Sequence, residues 1–183
     1  MTHLRIFDSS DGAAPRIDTR DPQAIAEALA PLGVRFEQWR TRALPEDASS
    51  EAVLEAYAPE VERLTAEKGY RSVDVIRMTP EHPDRAVLRT KFLSEHRHSE
   101  DEVRFFVEGE GLFTLRDEDR VYAVLCEEGD LISVPAGMRH WFDMGPSPRF
   151  TAIRMFISPD GWVADFTGDA IADRFPRHEP ASA

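Results

Sequence analysis

His96-Arg97-His98-Ser99-Glu100-Asp101-Glu102, answered by a histidine at position 140, decides how this chain must fold. In an extended strand residues two apart share a face, so His96 and His98 project together, and Glu102, four residues on, returns to that face. Three imidazole nitrogens and one carboxylate oxygen suit a first-row divalent ion such as Fe(II), Ni(II) or Mn(II). These ions usually take six ligands, which leaves two positions for substrate. Only a fold that carries position 140 back over residues 96–102 can assemble the set.

The flanking sequence supplies such a return. Gly109, Glu110 and Gly111 predict a turn between strands over 103–107 and 112–115. Further on, Gly129 opens a strand that runs to Pro135-Ala136-Gly137-Met138-Arg139-His140. Pro fixes φ and Gly accepts positive φ, so a tight turn there delivers His140 toward the first cluster. The two segments resemble the paired motifs of the cupin superfamily, H-x-H-x3-E-x6-G and G-x5-P-x-G-x2-H. One departure is that the second motif often ends in Asn three or four residues after the His, where this chain reads Trp141-Phe142-Asp143-Met144. That Asn is not a ligand, so the metal set stands. The other histidines, His3, His82 and His178, lie in polar or Pro-flanked contexts and are expected at the surface.

With 183 residues, 42% of them hydrophobic, the chain can build one well-buried domain. Its single cysteine, Cys126, excludes an internal disulfide and thiolate metal clusters, and reads as a small apolar strand residue in a reducing compartment. The first residues lack the apolar run of a signal peptide, and no stretch reaches the roughly eighteen apolar residues of a membrane span, so a cytoplasmic protein is expected. A net charge of −12, from 34 acidic and 22 basic residues, disfavours nucleic acid and anionic membranes as partners. An anionic substrate would therefore depend on cations inside the pocket. Nothing demands more than a monomer.

Residues 1–90 read as an α/β extension. Asp21-Pro22 caps a helix in which Ile25, Ala28, Leu29 and Leu32 repeat until Gly33, and a strand follows over 34–39. Ser49 or Ser50 starts a helix with Leu54, Tyr57, Val61 and Leu64 on its apolar face, ending at Gly69, before a strand over 72–78. From residue 91 to 160 short strands alternate with turns: 103–107, 112–116, 121–125, 131–134, 140–144 and 150–157. This pattern predicts a mainly β fold, a cupin-type jelly-roll β-barrel that carries both metal motifs, with 161–183 as a C-terminal segment that is loose at its end. The whole is expected to form one domain.

Alternation proposes the lining. If Glu102 faces the metal, Arg104 and Phe106 share its side while Val103, Phe105 and Val107 pack behind. His140 takes Phe142 inward. In the last strand Arg154 shares a face with Phe150, Ala152 and Phe156, but the other face, Thr151, Ile153, Met155 and Ile157, is the more apolar and equally suits the core, so the pattern leaves the face of Arg154 open. Guanidinium groups near a divalent cation suit bidentate binding of oxyanions, so Arg104 and Arg154 are the candidate catalytic residues. Phe92, Phe142, Phe156 and Trp162 are candidate apolar walls for a hydrophobic substrate tail.

Three neutral imidazoles and one carboxylate leave a divalent ion with about one positive charge, which favours an anionic, bidentate oxygen ligand such as an enediol or diketonate. Such a substrate, once deprotonated, is electron-rich enough to react with O2, which points to a carbon-carbon-cleaving dioxygenase. The run from His96 to Gly111, the later segment Val134 to Gly145, and the Arg154-Met155-Phe156 strand with Trp162 resemble the acireductone dioxygenase family of methionine salvage. The likeness covers most of residues 70–165. It implies His96, His98, Glu102 and His140 as ligands of one Fe(II) or Ni(II) per chain, with acireductone and O2 as the small-molecule partners. It further implies that the ion selects the products. Other metal-dependent cupins (a diketone or flavonol dioxygenase, a sugar isomerase) share the ligand set, and a non-enzymatic ligand-binding cupin is the remaining alternative. No general base is evident; Glu100 and Asp101 are near in sequence but read as surface acids.

Overall fold

A computed structural model describes residues 1–158 and 160–179, so the expectation of a loose C-terminal end falls partly on 180–183, outside the described residues. In chain order the elements are β1 (His3–Asp8), β2 (Ile17–Thr19), α1 (Pro22–Leu29), β3 (Arg35–Gln38), α2 (Ser50–Ala56), α3 (Ala58–Lys68), β4 (Ser72–Met78) and α4 (Arg85–Leu93). They continue with β5 (His96–Arg97), β6 (Glu102–Arg116), β7 (Arg120–Glu127), β8 (Asp130–Val134), β9 (Arg139–Asp143), β10 (Phe150–Phe156) and β11 (Asp165–Phe166). The fold is mainly β, a jelly roll of two antiparallel sheets. One runs β11-β5-β9-β6-β7-β1-β2; the other runs β4-β10-β6-β8-β3.

β6 belongs to both sheets, and this is where the structure departs from the predicted turn. Residues 102–116 form one 15-residue strand. Its first half pairs with β10 and β8, its second half with β7 and β9. Between the halves the register slips, Ala152 facing Phe106 while Thr151 faces Glu108, so Val107 is an extra residue. Such a bulge bends the strand and reverses which parity points inward. Accordingly Phe106 and, seven residues on, Phe113 both reach the same interior cluster. Gly109 makes the bend possible: its φ is +76°, and a Cβ there would lie 1.9 Å from the Arg149 carbonyl oxygen.

Three apolar layers follow from the alternation. Between the sheets lie Leu4, Ile6, Phe106, Phe113, Leu115, Val124, Ile132, Phe142 and Phe150, closed at one side by Ile25 and Leu29 of α1. Behind the second sheet, Val103, Phe105 and Val107 pack with Ile153 and Met155 against Val53, Tyr57 and Leu64 of the α2–α3 region. Outside the first sheet, Leu112, Ala123 and Trp141 are covered by Ile171, Ala172 and Phe175. Residues 1–90 thus contribute strands to both sheets as well as helices.

The local signals explain the helices. Asp21 accepts a hydrogen bond from the Gln23 N–H at 3.2 Å, and α1 passes through a short 3-10 turn to Gly33 at φ +74°. Ser49 caps α2 through the Ala52 N–H at 3.1 Å. The single helix predicted from there to Gly69 is instead two, broken at Tyr57, because Pro59 has no N–H to donate to the carbonyl four residues back. α4, β1, β2 and β11 were not anticipated. α4 buries no residue fully and leaves Val87 71% exposed, so it lacks the apolar stripe that marks a helix in sequence.

Candidate metal centre

The four predicted ligands come together. β5 pairs with β9 so that His96 lies directly opposite His140, and β6 pairs with β9 so that His140 faces Leu115 near the strand's far end. The turn at Pro135–Gly137 forms as the sequence indicates, with the Met138 N–H donating to the Pro135 carbonyl at 3.2 Å. One donor atom from each of His96, His98, Glu102 and His140 lies within 4.8 Å of every other.

Each imidazole is held by its far nitrogen. Nδ1 of His96 lies 2.7 Å from the Ser94 carbonyl, Nδ1 of His98 3.0 Å from that of Val163, and Nδ1 of His140 2.8 Å from that of Met138. A carbonyl only accepts, so each Nδ1 carries the proton and each Nε2 turns a lone pair inward. Glu102 adds a carboxylate, its Oε2 2.9 Å from Nε2 of His140 and 3.2 Å from Nε2 of His98. Four lone-pair donors converging on one point are reconciled by a cation. This donor set fits a divalent transition-metal ion.

The electrostatics differ among the donors. Burial, aided by the neighbouring His140, lowers the His96 pKa to about 4 and keeps that ring neutral. Burial acts the same way on His98, but the Glu102 carboxylate beside it prevails and raises its pKa. Burial would raise the Glu102 pKa, yet Arg104 and the two imidazoles hold it well below the usual carboxylate range.

Beside the donors a cavity of about 430 Å³ opens. His96, His98, Glu102 and Arg104 form its polar end, and Phe92, Phe142, Phe156 and Trp162 lie in its wall. Trp162 stands at the mouth, 52% exposed. Arg104 is buried; its Nη2 donates to Glu102 Oε1 at 2.7 Å, its guanidinium lies over the Phe142 ring at 4.5 Å, and its buried Nε–H has no partner among the described residues. Arg154 pairs across the sheet with Arg104, faces the same cavity, and is held by a fork to Asp74 at 2.9 and 2.7 Å.

Several lining residues escaped the sequence reading: Ile76, Met78, Leu88 and Lys91. Ile76 and Met78 are legible in hindsight, since β4 pairs with β10 and sets them opposite Ala152 and Phe150, on the inward face. Leu88 and Lys91 were hidden with α4. Glu100 and Asp101 are engaged elsewhere. Glu100 accepts from the N–H groups of Ile157 and Ser158 at 3.0 Å each, and Asp101 from that of Ala136 at 3.1 Å. The remaining histidines are not simply exposed, contrary to expectation. His3 pairs with Asp18, His82 lies in the cavity wall, and His178 is buried because residues 171–178 fold back on the first sheet.

The sequence matches the ARD/ARD' family over residues 3–164. The chain belongs to that family. Family relatives named acireductone dioxygenase include a protein of Hahella chejuensis, 55% identical over 179 residues that span 98% of this chain and 97% of the other. Another, from Parvibaculum lavamentivorans, is 57% identical over 180 residues, 98% of each chain. Among solved structures, an acireductone dioxygenase from Bacillus anthracis with a cadmium ion in its active center superposes with a TM-score of 0.81 at 30% identity, covering 91% of this chain and 98% of that one. The cupin-type reading of the fold thus agrees with a solved family member.

Proposed function

We propose that this chain is an acireductone dioxygenase. It acts as a cytoplasmic, single-domain monomer that cleaves 1,2-dihydroxy-3-keto-5-methylthiopentene with O2 in methionine salvage. The observation that carries the reading is the convergence of three imidazoles and one carboxylate beside a cavity lined by the Arg104 and Arg154 side chains and by aromatic rings. His96, His98, Glu102 and His140 would hold one Fe(II) or Ni(II), which when bound supplies Lewis acidity and two coordination positions for an enediolate.

The chain's own groups do the rest. Arg104, whose side chain lines the cavity beside Glu102, stabilises developing enediolate charge, and Arg154 adds a second positive charge nearby. Both guanidiniums are pre-oriented by carboxylates, so little reorganisation accompanies substrate binding. Phe92, Phe142, Phe156 and Trp162 exclude water and receive the methylthio tail, with favourable sulfur-aromatic contacts. Glu100 and Asp101 each accept from backbone N–H groups and neither lines the cavity, so no general base is assigned.

The products follow the ion: 2-keto-4-methylthiobutyrate and formate with Fe(II), or methylthiopropionate, formate and carbon monoxide with Ni(II). Both product sets account for every atom of substrate and O2. The test is anaerobic reconstitution with either ion followed by O2 uptake and product analysis with a desthio acireductone. Keto acid with Fe(II) and carbon monoxide with Ni(II) are expected. Metal binding without O2 uptake would reject the assignment and favour a binding-only cupin.

A further inference from the structure

The position where cupin motifs often carry Asn holds Asp143 here, and the structure gives that side chain a distinct task. Asp143 is 1% exposed and joins three segments. Its Oδ1 accepts from Arg89 Nε at 2.7 Å and from the Gly145 N–H at 2.9 Å; its Oδ2 accepts from Arg89 Nη2 at 3.0 Å and from the His178 N–H at 2.9 Å. Arg89 lies on α4, the helix that carries Leu88 and Phe92 into the cavity wall and Lys91 to its mouth.

α4 is lightly seated. It has no fully buried residue and no side-chain cap at its N-terminus. Leu88 and Phe92, one turn apart on the inward face, are only half-buried against the core, and the Phe92 ring meets Phe142 at 6.5 Å. A forked pair between guanidinium and carboxylate has a fixed geometry that a half-buried apolar contact lacks. Arg89 itself does not line the cavity.

We propose that the Arg89–Asp143 pair is a positioning device for substrate specificity: it fixes α4 against β9 and so sets the depth of the apolar end that receives the substrate's thioether tail. Arg89 acts through Leu88 and Phe92 and touches no reacting atom. The inference rests on the acireductone reading above.

The test compares wild type, Arg89→Met and Arg89→Lys, each reconstituted with Ni(II). Two acireductones are used, one with the methylthioethyl tail and one with a methyl group in its place. In Arg89→Met the ratio of kcat/KM for the long over the short substrate falls about tenfold, carried by KM for the long tail. Metal content stays at one ion per chain, and amide hydrogen exchange across residues 85–93 accelerates. Arg89→Lys recovers part of the ratio, since an ammonium cannot make the fork. An unchanged ratio, or equal losses on both substrates, overturns the proposal. Should Arg89→Met fail to fold, Asp143→Asn is read in the same way. If wild type turns over neither acireductone, the proposed function is what fails. The exchange measurement then decides the α4 anchor alone, and unchanged protection overturns it.

Discussion

Arg104→Met separates binding of the metal from stabilisation of substrate charge. The guanidinium lies beside Glu102, with Nη2 at 2.7 Å from Oε1, on a side chain that lines the cavity and brings positive charge to it. Removing a charged hydrogen-bond donor costs about 1.5–3 kcal/mol, which is roughly 10- to 150-fold in kcat/KM. Met fills a similar volume, so the Phe113 and Phe142 rings that flank Arg104 keep a neighbour. The substitution also leaves Glu102 without its cation. With metal bound, the ion itself neutralises that carboxylate. Without metal, breaking a buried pair costs up to about 3–5 kcal/mol, less whatever His98 and His140 return. The variant therefore loses more stability as apoprotein than as holoprotein. O2 uptake, metal analysis and urea unfolding with and without Ni(II) read all three quantities. Wild-type turnover, or loss of the metal together with activity, would show that Arg104 serves the site structurally.

Other consequences can be checked on the same material. Adding Ni(II) at about 100 times its Kd should stabilise wild type by about 2.7 kcal/mol, and His140→Ala should abolish that increment in thermal unfolding. Phe105→Ala, which removes the ring stacked on Trp39 at 4.4 Å and tilted against Tyr57 at 4.8 Å, should cost about 3–5 kcal/mol in urea unfolding; a cost under about 1 kcal/mol would mean that this layer repacks freely. Burial pushes the Asp143 pKa up, but the hydrogen bonds from Arg89, Gly145 and His178 prevail and hold it below the ordinary value. Its contribution is thus present above the unfolded carboxyl pKa of about 3.9 and is lost as pH falls through the folded value. Asp143→Asn should accordingly trail wild type by about 1–3 kcal/mol near neutral pH, with the gap narrowing in acid; a gap that widens as pH falls would contradict the sign.

The His96–His98–Glu102–His140 cluster was legible in large part because strand alternation and turn chemistry are local rules. A period of two sets His96 and His98 together, but β5 ends at Arg97 and residues 98–101 leave the strand, so Glu102 reaches the cluster from the start of β6 and not by alternation along one strand; His140 needed the Pro135–Gly137 turn. The inward faces of β6 and β9 follow from the same period, which marks Arg104 and Phe142, whereas alternation leaves the face of Arg154 open because the opposite face of β10 is the more apolar; the structure turns it to the cavity. The Gly109–Gly111 segment misled because a bulge within one strand and a turn between two use the same residue, a glycine at positive φ. α4 was illegible for another reason. Its contact with the body rests on two half-buried apolar side chains and on Arg89, whose partner lies 54 residues away, and no local pattern records a pairing of that kind. The same holds for His178, buried by a C-terminal segment whose docking site is the outer face of β6, β7 and β9.

The most direct measurement is a single turnover of the Fe(II)-loaded protein with an acireductone under labelled dioxygen. One oxygen atom of O2 in formate and the other in the keto acid is the result expected of a dioxygenase acting at the His96–His98–Glu102–His140 centre. Substrate consumed with the label in water or hydrogen peroxide, or product formed equally well by His140→Ala, would contradict it.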